Sequence, residues 1–162
     1  MDATSHHRYG DELYTALLER KAVEPLITRE PSITIEDAYK IQQRMVQRRI
    51  DAGERVVGKK IGVTSKVVMD MLGVNQPDFG ILLSGMVFNE GDAIRADSMI
   101  APKAEAEVAF VLKSDLTGPG VTAADFTRQV AADETLFRLE AEVVCIDAAV
   151  HGLGVDPGAR VG

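Results

Sequence analysis

The ten residues Lys103-Ala-Glu-Ala-Glu-Val-Ala-Phe-Val-Leu112 constrain the chain most. Successive side chains of a β-strand point to opposite faces. Ala104, Ala106, Val108, Phe110 and Leu112 then share one apolar face, and Glu105 and Glu107 share the other, which continues as Ala109 and Val111. A segment patterned in this way needs strand partners, so the fold contains a sheet. On a strand the Cα atoms of Glu105 and Glu107 stand roughly 6.5 to 7 Å apart. Two carboxylates on a face that turns apolar repel each other unless a cation or protons offset them. Oxygen-only donors favour a hard ion, Mg²⁺ or Mn²⁺. A solvated Glu-x-Glu face is the competing reading, and these residues alone leave both open.

Upstream the period is helical. Residues 11–23 place Leu13, Ala16, Leu17 and Leu18 at helix spacing. Thr34-Ile-Glu-Asp37 resembles a capping box. It opens a second helix with Ala38, Ile41, Met45 and Val46 near one face and Gly53 as its stop. The other face holds Lys40, Arg44, Arg48 and Arg49, read either as an anion-binding stripe or as a solvated helix surface.

Residues 56–62 read as a strand in which Gly58 and Gly62 bracket Lys59 and Lys60. Ser65 caps a short helix closed by Gly73. Gln76-Pro-Asp-Phe-Gly80 reads as a turn, residues 81–88 as strand material and Asn89-Glu-Gly-Asp92 as a hairpin turn. Thr122 to Asp125 forms another capping box, for a helix to about Ala132, and residues 142–150 read as a last strand. The fold class is therefore α+β. The chain reads as one domain over 1–162, with a flexible tail at 1–9, a helical part at 10–55, a β-rich part at 56–150 and a frayed tail at 151–162.

The balance of 18 basic against 25 acidic residues gives a net charge of −7, and there is no Trp. Nucleic-acid binding is dominated by phosphate neutralisation, so nucleic acid is a poor partner. No apolar run approaches the roughly 18 residues of a membrane span, and the polar N-terminus lacks a secretory h-region. One cysteine, Cys145, excludes an internal disulfide and a Cys-based zinc cluster. It lies in an apolar run and reads as a buried thiol. A reducing cytoplasm is the expected compartment.

Two further residues are candidates. Lys60, at a strand end between glycines, has room to reach into a cleft, or is one of a pair of surface lysines. Asp78 follows Pro77, where aspartate is common in turns for local reasons. His6 and His7 fall in the expected tail and carry no role.

Together, Val56-Val-Gly-Lys-Lys-Ile-Gly-Val-Thr-Ser65, Met71-Leu-Gly-Val-Asn-Gln-Pro-Asp-Phe-Gly80 and Pro102-Lys-Ala-Glu-Ala-Glu-Val-Ala-Phe-Val-Leu112 resemble the 2-oxopent-4-enoate (2-hydroxypenta-2,4-dienoate) hydratases. These belong to the fumarylacetoacetate hydrolase-like superfamily. The likeness extends through Gly10-Asp-Glu-Leu-Tyr14, Glu36-Asp-Ala-Tyr39 and Gly118-Pro-Gly-Val-Thr-Ala-Ala-Asp125, covering about residues 10 to 126 in the family's order. It implies a β-roll or barrel behind the helical part and a cytoplasmic homo-oligomer acting beside other enzymes of aromatic meta-cleavage catabolism. It implies a hydro-lyase acting on a small anionic 2-hydroxy-dienoate with Mg²⁺ or Mn²⁺. Position by position, Glu105 and Glu107 match two of the family's three metal ligands, Lys60 its active-site lysine and Asp78 its active-site aspartate. The Pro-Asp-Phe-Gly and Lys-Lys-Ile-Gly segments favour the hydratase over the related 4-oxalocrotonate decarboxylase.

After about Phe126 the resemblance stops. Simple counting places the family's third ligand at Arg138, which cannot ligate a cation. Glu142, followed by Val143-Val144 as in the family, is taken as the third ligand, with Glu140 as the alternative. Family members are longer, so the chain reads as a C-terminally truncated or divergent member with an incomplete roll. A catalytically impaired remnant or assembly partner, and a related decarboxylase or acylpyruvate hydrolase, are the alternative readings.

Overall fold

A computed structural model describes the backbone of residues 1–142 and the side chains of residues 1–102 and 107–130. Two compact units are present, Met1–Ala101 and Pro102–Glu142, described separately below. Cys145 and all but the first residue of the strand expected at 142–150 lie outside the described residues.

The first unit opens with helices α1 (Ala3–Glu19), α2 (Leu26–Arg29) and α3 (Ile35–Asp51). Residues 1–9 are not a tail. Asp2 caps α1 by accepting the Ser5 N–H at 2.8 Å, and His6, Tyr9, Gly10, Leu13 and Ala16 form its buried face. The spacing is helical, but its first members are a histidine and a tyrosine, so apolar periodicity alone does not reveal it. Tyr9, Leu13, Leu26, Ile33, Ile41 and Met45 make the core. At Gly10 the two long helices come close. A Cβ there would stand 2.5 Å from the Arg44 Cβ and 2.9 Å from the Ile41 carbonyl oxygen.

The expected capping box of α3 forms, with Thr34 and Asp37 each bonding the other's backbone N–H. Asp37 does more than cap. It also accepts from His6 Nε2 at 2.6 Å and from the Met1 amine at 3.1 Å, His6 and Asp37 both being buried. These donors, His6 foremost, hold its carboxyl far below the usual carboxylate range. His6 is thus part of the helix junction rather than inert.

The three arginines of the basic stripe of α3 are engaged within the protein. Arg44 forks onto Asp11 at 2.8 and 3.0 Å, with Arg48 at 3.5 Å from the same carboxylate. The Arg44 bond keeps the Asp11 pKa low and the Arg44 pKa high. Arg49, itself buried, forks onto Glu54 at 2.6 and 2.8 Å.

Strand β1 (Val56–Gly62) follows, then α4 (Lys66–Leu72) and β2 (Asp78–Leu83). Helix α4 has the expected ends, Ser65 accepting from the Val68 N–H and Gly73 in the left-handed region at φ 68°. The turn expected at 76–80 is corrected, because β2 begins at Asp78 and pairs antiparallel with β1. Backbone pairing with β1 overrides the local turn preference of Pro-Asp. The strand material at 81–88 ends early in a 3₁₀ turn, Ser84–Met86, and Asn89 to Asp92 turns without joining paired strands.

The second unit is β3 (Lys103–Leu112), α5 (Ala123–Gln129) and β4 (Val130–Glu142). Its two strands are antiparallel. The α+β class stands, with two small open sheets of two strands each among the described residues. Helix α5 stops at Gln129, short of the expected end, and β4 takes over a stretch for which the sequence suggested no strand.

Candidate active site

The β1–β2 hairpin brings Lys60 and Asp78 onto neighbouring strands. Lys60 pairs with Gly80 and Gly62 pairs with Asp78. Cross-strand partners share a face, so Lys60 and Asp78 are diagonal neighbours on one side of the ribbon. Each lies across a glycine. A Cβ at Gly80 would be 2.8 Å from Lys60 Cγ, and one at Gly62 would be 2.3 Å from Asp78 Oδ1. A side chain at either glycine would occupy the space these functional groups fill, which gives both glycines a steric reason that sequence reading alone did not supply.

Asp78 is half-buried, and its Oδ1 is a buried atom without a hydrogen-bond partner. Buried carboxylate oxygens are normally satisfied, so an unpaired one at a strand end marks a place where a donor can complete it. Beside it the chain leaves β1 through Val63, whose φ of 55° is a left-handed conformation that a β-branched residue rarely adopts. Such conformations cost of order 1–3 kcal/mol and gather at functional sites.

Helix α3 reaches this strand too. The Tyr39 hydroxyl accepts the Phe79 N–H at 3.1 Å, and Gln42 Nε2 donates to the Phe79 carbonyl at 3.3 Å. Sequence reading missed both residues. Gln42 did leave a signal, an amide among the apolar positions Ala38, Ile41 and Met45 on the buried face of α3.

In the second unit Glu105 and Glu107 lie two apart on β3, as expected. Glu107 is exposed. The side chains of Glu105, Glu140 and Glu142 are outside the described residues. By backbone register Glu140 is the cross-strand partner of Glu105, Arg138 of Glu107, and Glu142 of Lys103. Among described side chains of this unit, Phe110 packs edge-on against Phe126 with ring centroids 5.3 Å apart. Among the described residues no group of three or more His, Cys, Asp or Glu is placed to hold a metal. Glutamate oxygens two apart on a strand are nonetheless the donor chemistry a hard divalent ion takes. Two open clefts, at residues 115–129 and 8–23, contain none of the candidate residues. No helix among the described residues is long and apolar enough to cross a membrane.

Comparison with known proteins adds a separate line of evidence. The chain is 57% identical over 126 residues to a 2-hydroxypent-2,4-dienoate hydratase of Pseudomonas putida, covering 77% of this chain and 57% of that protein. It is 52% identical over 118 residues to a 2-hydroxyhexa-2,4-dienoate hydratase of Comamonas testosteroni, covering 72% and 45%. A 2-oxo-hept-4-ene-1,7-dioate hydratase of Escherichia coli is 36% identical over 156 residues, covering 96% and 55%. The chain thus spans about half the length of the curated relatives it matches. Among solved structures, a 4-oxalocrotonate decarboxylase from Pseudomonas putida G7, complexed with magnesium and adipate, aligns with a TM-score of 0.74 at 28% identity. That alignment covers 80% of this chain and 49% of the other. No family model matches the chain.

Proposed function

The chain belongs with the 2-hydroxypenta-2,4-dienoate hydratases over the stretch it shares with them, and from that premise we propose that it is a metal-dependent hydro-lyase. It converts 2-hydroxypenta-2,4-dienoate and water into 4-hydroxy-2-oxopentanoate. The observation that carries this reading is the 57% identity to a named hydratase across the segments holding Lys60, Asp78, Glu105 and Glu107.

Glu105 and Glu107 hold the divalent ion, Mg²⁺ or Mn²⁺, with Glu142 as third ligand. Glu140, in register opposite Glu105, is the alternative. A structural neighbour bound to magnesium supports the choice of ion. When bound, the ion supplies Lewis-acid stabilisation of the negative charge that builds on an enolate oxygen. Lys60 binds the anionic substrate through its ammonium group and assists proton transfer. In the first half-reaction the dienol loses its hydroxyl proton and gains one at C5, giving a conjugated enone. In the second, water adds its oxygen at C4 and a proton at C3. Asp78 orients that water and moves its proton, and its unpaired Oδ1 supports this role. The strands form part of a β-roll, and the enzyme works as a homo-oligomer in the cytoplasm.

The test is loss of the dienol ultraviolet absorbance with Mg²⁺ and with EDTA, and the mass of the product. Metal-dependent gain of one water establishes the hydratase. Loss of CO₂ from 4-oxalocrotonate instead selects the decarboxylase suggested by the structural neighbours. No turnover from folded protein leaves a remnant. Glu107→Gln lowers metal-dependent turnover by on the order of 100-fold or more without unfolding the chain. Full activity of this variant removes Glu107 from the ligand set.

A further inference from the structure

We propose that Tyr39 and Gln42 are positioning residues for the Asp78 carboxylate, acting through the backbone of Phe79; the inference rests on Asp78 working at the substrate. Phe79 pairs with Ile61. In an antiparallel ribbon every second residue turns its N–H and C=O away from the partner strand. Both groups of Phe79 are answered by α3, the N–H by the Tyr39 hydroxyl and the C=O by the Gln42 amide. Tyr39 and Gln42 are three residues apart, so they project from one helix face.

The Phe79 N–H belongs to the peptide plane that joins Asp78 to Phe79. Fixing that plane fixes ψ of Asp78, and the Gln42 bond fixes the following plane. The direction of the Asp78 Cβ is then set from α3, the helix that carries the core, rather than from the ribbon alone. On the opposite side Gly62 leaves only the space that Oδ1 fills. The carboxylate is held between a clamp behind it and a glycine beneath it, and the buried oxygen against Gly62 has no hydrogen-bond partner.

Two features argue against a merely structural tie. Gln42 is 6% exposed on a face whose other buried positions are mostly apolar. An apolar residue there would pack without the cost of burying an amide. Phe79 is 53% exposed, and the hydrogen bonds from α3 reach its backbone N–H and C=O.

Tyr39→Phe and Gln42→Leu in the full chain test the proposal. Amide hydrogen exchange by NMR is read first. Tyr39→Phe speeds exchange at Phe79 about tenfold or more while the amides of α1 and α3 keep their protection. With Mg²⁺ and the dienoate, each variant lowers kcat about tenfold and leaves KM within about twofold, as misplacement of a reacting group does. In an Asp78→Asn background neither substitution lowers kcat further. Unchanged Phe79 exchange, or losses that multiply with Asp78→Asn, overturn the proposal. If the unsubstituted chain shows no turnover, the hydratase reading fails and the clamp is still decided. Three-bond couplings then report the Asp78 side-chain rotamer, and couplings unmoved by both substitutions overturn it.

Discussion

On α3, Ile41 and Met45 are withdrawn from water, whereas on the adjacent hairpin Ile61 and Phe79 each leave more than half of their surface exposed. Both regions belong to the same compact unit. The helices meet through interlocking apolar side chains and a close approach at Gly10. The hairpin presents one face of two charged groups over glycines, and on the other Ile61 and Phe79 stand in solvent while Leu83, at the end of β2, is buried. A two-stranded ribbon is marginal by itself and gains from packing against a helix. The stability of this unit is therefore concentrated in the helices, and its candidate chemistry sits on an element that borrows rigidity from them.

The largest expected effect would sharpen this contrast. Ile41→Ala costs about 2–5 kcal/mol because it opens a cavity at a site with no exposure. Phe79→Ala costs within about 1 kcal/mol, as surface substitutions do. Denaturant midpoints of the two variants check this, and equal losses would break the comparison. Next comes Gly10→Ala. Alanine favours a helix by about 1 kcal/mol over glycine, yet the clash with Arg44 and Ile41 leaves a net loss of about 1–3 kcal/mol. Gly58→Ala on the hairpin meets only ordinary contact, Leu82 Cδ1 at 3.4 Å, and shifts the melting temperature less.

A further effect depends on pH. The Asp37 carboxyl is depressed in the folded chain, chiefly by the His6 bond. Its contribution is fully present above the unfolded value of about 4 and is lost as pH falls from there toward the folded value. Thermal melts of the native chain and Asp37→Asn differ most above about pH 5 and converge in more acid solution. A gap that widens on acidification would remove Asp37 from the junction.

The capping boxes at Thr34 and Thr122, the Ser65 and Gly73 ends of α4 and the alternation of β3 were legible because each is written in adjacent residues. The start of α1 was not, since its buried positions His6 and Tyr9 carry polar atoms whose partners, Asp37 and Glu30, are distant in sequence. β2 was misread at Asp78 because strand pairing with Gly62 outweighs a local turn signal. Lys60 and Asp78 could be singled out from their motifs, but their diagonal placement depends on register, which two short strands do not announce. Tyr39 and Gln42 act only through a backbone 37 to 40 residues away.

The two bonds to Phe79 also have a consequence for assembly. The outward N–H and C=O of a terminal strand are what an incoming strand from another chain would pair with. At Phe79 those groups are already occupied by α3. A strand laid along the outer side of β2 would have to displace a tyrosine hydroxyl and a buried amide before its own ladder could form. The clamp thereby guards this edge of the sheet against runaway strand addition.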